Sequence, residues 1–356
     1  MQTRFLLAGV AALALAAACA EPAGPTTSLF ADRQHDGGRG VTAFTQNLYI
    51  GADVDVVIGA LASPDPADDL PALIAAIQTL GETAYPLRAQ AMADAIARAR
   101  PHMVGLQEVE QLDIDLTPLG LPVVIHQDFL AILLDALAAR GLHYTTAVKV
   151  ENTVARPIPG ISLIDYDAIL VDADRVVVTS TASGSYVHNI GPVAPGVVLK
   201  RGWTLVRGRV QGRPYVFANT HLESGDGPGL AELRAAQAEE LANVLPRNAT
   251  VLLTGDLNDG PGSPMHRVLV GAGFRDSWAE LRGGDAGFTC CQEANLGNAA
   301  SVLKGRFDYV LVRTVNHLQQ LEGEVRRFGA DPSERITGPA HLIWTSDHAG
   351  VSLRLE

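Results

Sequence analysis

The stretch Thr250-Val251-Leu252-Leu253-Thr254-Gly255-Asp256-Leu257-Asn258-Asp259-Gly260 decides how the rest of the chain is read. Its first half is a β-branched and apolar run that reads as a buried strand. Its second half stops in a polar turn. In extended chain, residues two apart share a face, so Asp256 and Asn258 are expected to project together while Leu257 points into the core. A carboxylate beside an amide at the mouth of a strand can orient or deprotonate a water and hydrogen-bond a phosphoryl oxygen. Taken alone, the same residues also make an ordinary Asx-rich turn. The surrounding chain decides between these readings.

The 356 residues are 47% hydrophobic, enough for a sizeable core, and large α/β folds often run this length as one domain. No internal repeat is found. The N-terminus is set apart. Met1-Gln2-Thr3-Arg4 is a short basic start, Phe5 to Ala18 is apolar over signal-peptide length, and the segment ends Leu15-Ala16-Ala17-Ala18-Cys19-Ala20. Being apolar all round, it makes a poor surface helix. Small residues before a lone cysteine resemble a bacterial lipoprotein signal, cut before Cys19 so that its thiol carries lipid. The usual pattern has leucine where this chain has Ala16, which leaves ordinary signal cleavage open. The expected organisation is a signal peptide over 1–19, a Pro/Gly/Ser/Thr-rich tether over 20–40, and one domain over 41–356. The protein is therefore expected to be exported, either anchored through Cys19 in the cell envelope or secreted.

Acidic side chains outnumber basic ones, 39 to 27, giving a formal net charge of −12. General attraction to nucleic acid rests on Lys and Arg, so this balance supplies none. Only Lys149, Lys200 and Lys304 are lysines, so a phosphate clamp would be mostly arginine, which suits bidentate contacts. Cys290 and Cys291, the remaining cysteines, offer no metal site of zinc spacing; a vicinal disulfide and free thiols both fit, in a structural role.

Further elements end in polar residues as the central stretch does. Val41 to Tyr49 reads as a strand closing on Gln46-Asn47, followed by an Asp- and Pro-rich excursion with two short helices. A helix opened by Pro86 and stopped by Pro101 leads to Met103 to Glu110, a strand on which Glu108 leaves the core. Phe129 to Arg140 is a helix ended by Gly141. Leu163 to Val171 is a strand with acids Asp165 and Asp167 at its entry, and 180–202 reads as a Gly/Pro-rich connection holding Tyr186, His188, Lys200 and Arg201. Trp203 to Val210 and Arg213 to Thr220 read as a hairpin, with Asn219 and His221 at its end. An amphipathic helix through Leu230 and Leu245 feeds the central stretch. Asp308 starts another strand, and Asp347-His348 opens the last one, where neither side chain favours a strand interior.

Each of these has a plain explanation; their joint occurrence at strand ends, in this order, does not. Thr45-Gln46-Asn47, Gln107-Glu108-Val109, Asn219-Thr220-His221-Leu222, Gly255-Asp256-Leu257-Asn258, Asp308 and Ser346-Asp347-His348 together resemble the endonuclease/exonuclease/phosphatase superfamily. These Mg²⁺-dependent phosphodiesterases include pancreatic-type deoxyribonuclease, apurinic endonucleases, neutral sphingomyelinases and inositol polyphosphate phosphatases. The resemblance spans 41–356. It implies an α/β fold, a four-layer sandwich of two mixed β-sheets face to face with helices outside. It also implies Mg²⁺, or Mn²⁺, on Glu108 with Asn47 and Asp347 nearby. By the same resemblance Asp256 aligns the attacking water, Asn258 holds the phosphate, and His221 and His348 flank it. Asp308 would fix and charge His348. His221 would take an acid near 165–171, with Asp165 chosen and Asp167 in reserve. The family's tyrosine has no clear counterpart beyond nearby Tyr166.

The implied activity is hydrolysis of a phosphodiester or phosphomonoester by in-line attack of water, on a nucleic acid, a lipid head group or a small ester, by a monomer. Only 5% of residues are aromatic and no aromatic hairpin suited to entering a bilayer is found, which weighs against a sphingomyelinase. A non-catalytic surface binding protein would have no need of Glu108 or His348, and both are present.

Overall fold

A computed structural model describes residues 40–65, 67–315 and 320–356. The expected signal segment, and all of the expected tether but Gly40, lie outside these residues. Among the described residues, no helix is long and apolar enough to cross a membrane.

Two mixed sheets carry the fold. The larger runs Gly323–Phe328, Gly350–Leu355, Val41–Asn47, Met103–Gln107, Ile161–Asp172, Tyr144–Ala155, Val197–Leu199 and Gly191–Ala194, with Gln111–Asp115 and Val124–Asp128 attached at one side. The second has six strands, in the order Arg275–Asp276, Asp308–Arg313, Val251–Asp256, Arg213–His221, Gly202–Val210 and Val176–Ser185. Val41–Asn47 and Met103–Gln107 pair in parallel, as do Arg213–His221 and Val251–Asp256.

Strand periodicity explains the layers. On Val41–Asn47, Val41 and Ala43 face the second sheet while Phe44 faces helices Tyr85–Ala99 and Phe129–Ala138. On Val251–Asp256, Leu252 enters the core between the sheets while Val251 and Leu253 pack against helices Leu230–Val244 and Pro264–Gly271. Each strand is therefore buried on both faces, which is why these stretches read as continuous apolar runs. Helix, sheet, sheet and helix make the four layers expected from the sequence.

Three local readings are corrected. Residues 180–202 are not an open connection, since Val176–Ser185 is a ten-residue strand and Gly191–Ala194 pairs with Val197–Leu199. Their small and polar side chains are exposed on an outer strand, so they carry no core signal. Asp165 and Asp167 stand inside Ile161–Asp172 rather than at its entry. Tyr166 between them turns to the other face of the sheet and packs against the helix-side core, its ring under the Lys149 ammonium at 4.0 Å, so it does not join the site residues.

Candidate active site

Register places the site. His221, Asp256 and Asp308 are direct partners across three adjacent strands of the second sheet. In the larger sheet Asn47 sits opposite Gln107, with Glu108 one residue beyond. The two sheets are fastened together just beneath. Asn219 donates from Nδ2 to the carbonyls of Leu106 and Ala168 at 2.9 and 3.3 Å, and its Oδ1 accepts from Gln107 Nε2 at 2.6 Å. The residue read as a neighbour of His221 is thus a bolt between sheets.

Asp256 is the hub. Its Oδ2 lies 3.6 Å from Nε2 of both His221 and His348, and accepts from Asn47 Nδ2 at 3.1 Å. Its Oδ1 accepts the backbone N–H of Asn258 at 3.0 Å. The turn differs from the extended geometry expected. Asn258 adopts φ 51°, a left-handed conformation that asparagine tolerates, and this swings its amide to within 2.9 Å of His221 Nε2. Tyr49 at φ 56° and Glu108 at φ 53° are likewise left-handed beside the site. Such non-glycine backbone costs of order 1 kcal/mol or more and persists where surrounding contacts enforce it. Arg88 supplies part of that enforcement. Fully buried, it donates to the carbonyls of Leu48, Tyr49, Thr83 and Thr345, tying the strand end that carries Asn47 to the loop that carries His348.

The histidines sit in opposite fields. His348 Nδ1 hydrogen-bonds Asp308 Oδ2 at 2.8 Å, as expected from the sequence. Burial opposes its charge, but Asp308, Asp256 and Asp347 hold the imidazolium well above the ordinary histidine range. Burial pushes Asp308 up to about 6, against the pull of His348. Asp256 stays below the usual carboxylate range despite burial, because His348 and His221 face it. His221 is pushed down to about 3 by burial and by the Arg201 guanidinium.

That last contact corrects the pairing expected for His221. Neither Asp165 nor its reserve Asp167 reaches the ring. Arg201 Nη1 stands 3.1 Å from His221 Nδ1 and 3.9 Å from Asp165 Oδ2, so the carboxylate meets the arginine instead. Arg201 is 9% exposed and also meets Glu223 Oε1 at 3.3 Å. One hint was legible, the basic pair Lys200-Arg201 closing a Gly/Pro-rich stretch, without any sign of which way it pointed. Cys290 and Cys291 are bonded to one another, and Cys291 Sγ lies 3.7 Å from His348 Nε2, a proximity no sequence signal indicated.

A divalent cation fits this donor set. Glu108, half-buried, accepts from Asn47 Nδ2 at 2.9 Å and from the Ile50 N–H at 3.1 Å. Asp347 is pushed up to about 7, chiefly by burial and by the charge of Glu108. Carboxylates crowded at a half-exposed mouth, with Asp347 held up even though His348 and Arg88 oppose the shift, suit a hard ion that keeps some of its waters. Asp256, Asp308 and His348 also offer ligand atoms within 4.8 Å of one another, but a hydrogen bond already occupies Asp308 Oδ2 and the His348 Nδ1.

The sequence pattern of the endonuclease/exonuclease/phosphatase family matches residues 79–348, a span containing Glu108, His221, Asp256, Asn258, Asp308, Asp347 and His348. The protein belongs to this family of phosphoester hydrolases. Among solved structures, a family member from Beutenbergia cavernae is 20% identical with TM-score 0.58, covering 90% of this chain and 72% of its own. The Bacteroides thetaiotaomicron mannosyl-6-phosphatase is 16% identical with TM-score 0.55, over 89% of this chain and 99% of its own. D. rerio TDP2, solved with a single-strand DNA product, is 14% identical with TM-score 0.53, over 90% and 100%. At these identities the likeness is one of fold. No curated protein sequence matches this chain.

Proposed function

We propose that this protein is an exported, divalent-cation-dependent phosphoesterase that attacks a phosphodiester or phosphomonoester in line with water. The observation that carries the reading is the single carboxylate oxygen of Asp256, buried at the strand ends and 3.6 Å from both histidines. Asp256 orients the attacking water and takes its proton. His348, charged and backed by Asp308, faces the departing oxygen and stabilises it. Asn258 and His221 hydrogen-bond a phosphoryl oxygen. Glu108, with Asn47 and Asp347, would hold Mg²⁺ or Mn²⁺, which when bound offsets charge on the phosphoryl oxygens.

Hydrolysis of bis(p-nitrophenyl) phosphate, with and without chelator, tests this directly. Activity is expected to vanish with EDTA and return with Mg²⁺ or Mn²⁺. His221→Ala, Asp256→Ala and His348→Ala are each expected to lower kcat roughly a hundredfold or more, the scale of losing one such group. Near-full activity in folded His348→Ala would overturn the mechanism. The structural neighbours include a phosphatase and a DNA-product complex, so plasmid DNA, phosphoinositides, sphingomyelin, sugar phosphates and nucleotides belong in one panel. Export and a lipid on Cys19 rest on the N-terminal sequence alone. Palmitate labelling of cells is expected to mark the wild type and not Cys19→Ser; equal labelling of both removes the anchor.

A further inference from the structure

We propose that Arg201 is a positioning residue that fixes His221 as the neutral tautomer protonated on Nε2, so that His221 and Asn258 together present two N–H groups to one phosphoryl oxygen. The second half of this statement rests on the phosphoesterase reading; the first half does not.

The argument is a count of donors. A guanidinium donates and never accepts, so at 3.1 Å from Arg201 Nη1 the Nδ1 of His221 must carry a lone pair. An Nδ1–H would set hydrogen against hydrogen, and an imidazolium would add a like charge. The proton therefore belongs on Nε2. On that side Asn258 Nδ2 lies 2.9 Å away, and the same nitrogen donates to the Leu222 carbonyl at 3.0 Å, an oxygen that can only accept. Leu222 thus fixes the amide orientation, and the second Nδ2 hydrogen points at the imidazole. Both ring nitrogens then face donors, while a neutral imidazole accepts at one alone. With Nδ1 committed to Arg201, the Nε2–H and Nδ2–H groups are left facing each other. The nearest acceptor on Nε2 is Asp256 Oδ2 at 3.6 Å, beyond good hydrogen-bond range. An oxygen entering between the two groups accepts from both and removes the conflict.

Arg201 is held against swinging away by Glu223 Oε1, by Ser224 Oγ at 3.4 Å, and by its own backbone N–H on Asn189 Oδ1 at 2.6 Å. The charged or titratable groups bearing on His221 are Arg201, Asp256 and His348 on its ring, and Asp167 on the side of its backbone N–H. Burial and Arg201 disfavour its charged form, in agreement with the donor count. The two histidines would then do different work. His348 brings charge, and His221 brings a directed neutral donor.

Long-range ¹H–¹⁵N spectra of the full chain, labelled on histidine ring nitrogens, read the tautomer without any assay of activity. His221 is assigned by the signals missing from His221→Gln. The expected result is an unprotonated Nδ1 and a protonated Nε2, unchanged between about pH 5 and pH 8, where free histidine titrates. A wild-type His221 protonated on Nδ1, or on both nitrogens, overturns the proposal. Arg201→Lys, which keeps a cationic donor, is expected to preserve the pattern, and folded Arg201→Met to lose it. An unchanged spectrum in folded Arg201→Met overturns the role of the arginine; should that variant not fold, the wild-type spectrum alone decides. Inorganic phosphate is expected to shift the Nε2–H signal, and no shift into the millimolar range overturns the paired-donor site. If the tautomer is found and no phosphoester is hydrolysed, the function falls while the positioning role stands.

Discussion

Asp308 and Arg201 stand behind their histidines at similar distances, 2.8 and 3.1 Å, yet one is an anion and the other a cation. This difference in a single partner is what separates the two imidazoles chemically. Asp308→Asn keeps the shape and removes the charge. It is expected to lower kcat by roughly 10² to 10⁴ while leaving KM nearly unchanged, as happens when a carboxylate behind a catalytic imidazole is neutralised. Initial rates on bis(p-nitrophenyl) phosphate check this, and a loss under threefold would show that Asp308 serves packing alone. At this scale Glu108, His221, Asp256, Asn258, Asp308 and His348 were legible from the sequence, because a polar residue ending a buried strand stands out against apolar neighbours. Arg201 and Arg88 were not. What they do depends on carbonyls and rings brought in from distant parts of the chain, and nothing in their own neighbourhoods encodes that.

Among the elements, the strand Met103–Gln107 shows how closely the sheets must approach for the site to form. Gly105 lies against Asn219 and Thr254 of the facing sheet, and an added methyl there would collide with Thr254 Oγ1 and Asn219 Oδ1. Gly105→Ala is expected to cost roughly 1–3 kcal/mol, the usual cost of overpacking. Urea unfolding measures it, and an unchanged midpoint would mean that the sheets can part without cost. Strands buried on both faces were readable as apolar runs. The outer strand Val176–Ser185 was not, since its side chains are mostly small, polar and exposed. Its place is set by pairing with Gly202–Val210 rather than by its own composition.

For the molecule as a whole, acid stability is expected to depend on a buried ion pair outside the proposed catalytic set. Arg306 grips both oxygens of Asp276 at 2.8 and 2.7 Å, and His266 approaches the same carboxylate at 3.2 Å. Burial alone would raise Asp276, but His266 and Arg306 hold it well below the usual carboxylate range. A depressed carboxylate stabilises the fold fully above its unfolded pKa, about 3.9, and less as pH falls below that value. Asp276→Asn is therefore expected to cost roughly 3 kcal/mol near pH 7, as breaking a buried pair does, and somewhat less near pH 3, where the unfolded chain already holds the proton and the folded carboxylate does not. Denaturant melts at both pH values decide, and a gap independent of pH would remove the ionic contribution.

The pairing of Val41 with Leu355 has a practical consequence. The first and last strands of the described domain meet side by side, and the cleft lies some seven residues away, beyond Asn47 at the other end of the same strand, about 20 Å distant. Fusions, surface tethers or immobilising tags joined at the ends of the described domain, beside Val41 and Leu355, would sit at the opposite end of these strands from Asn47. A short linker could also join the two ends, so that the chain is reopened in a surface loop without disturbing the chemistry.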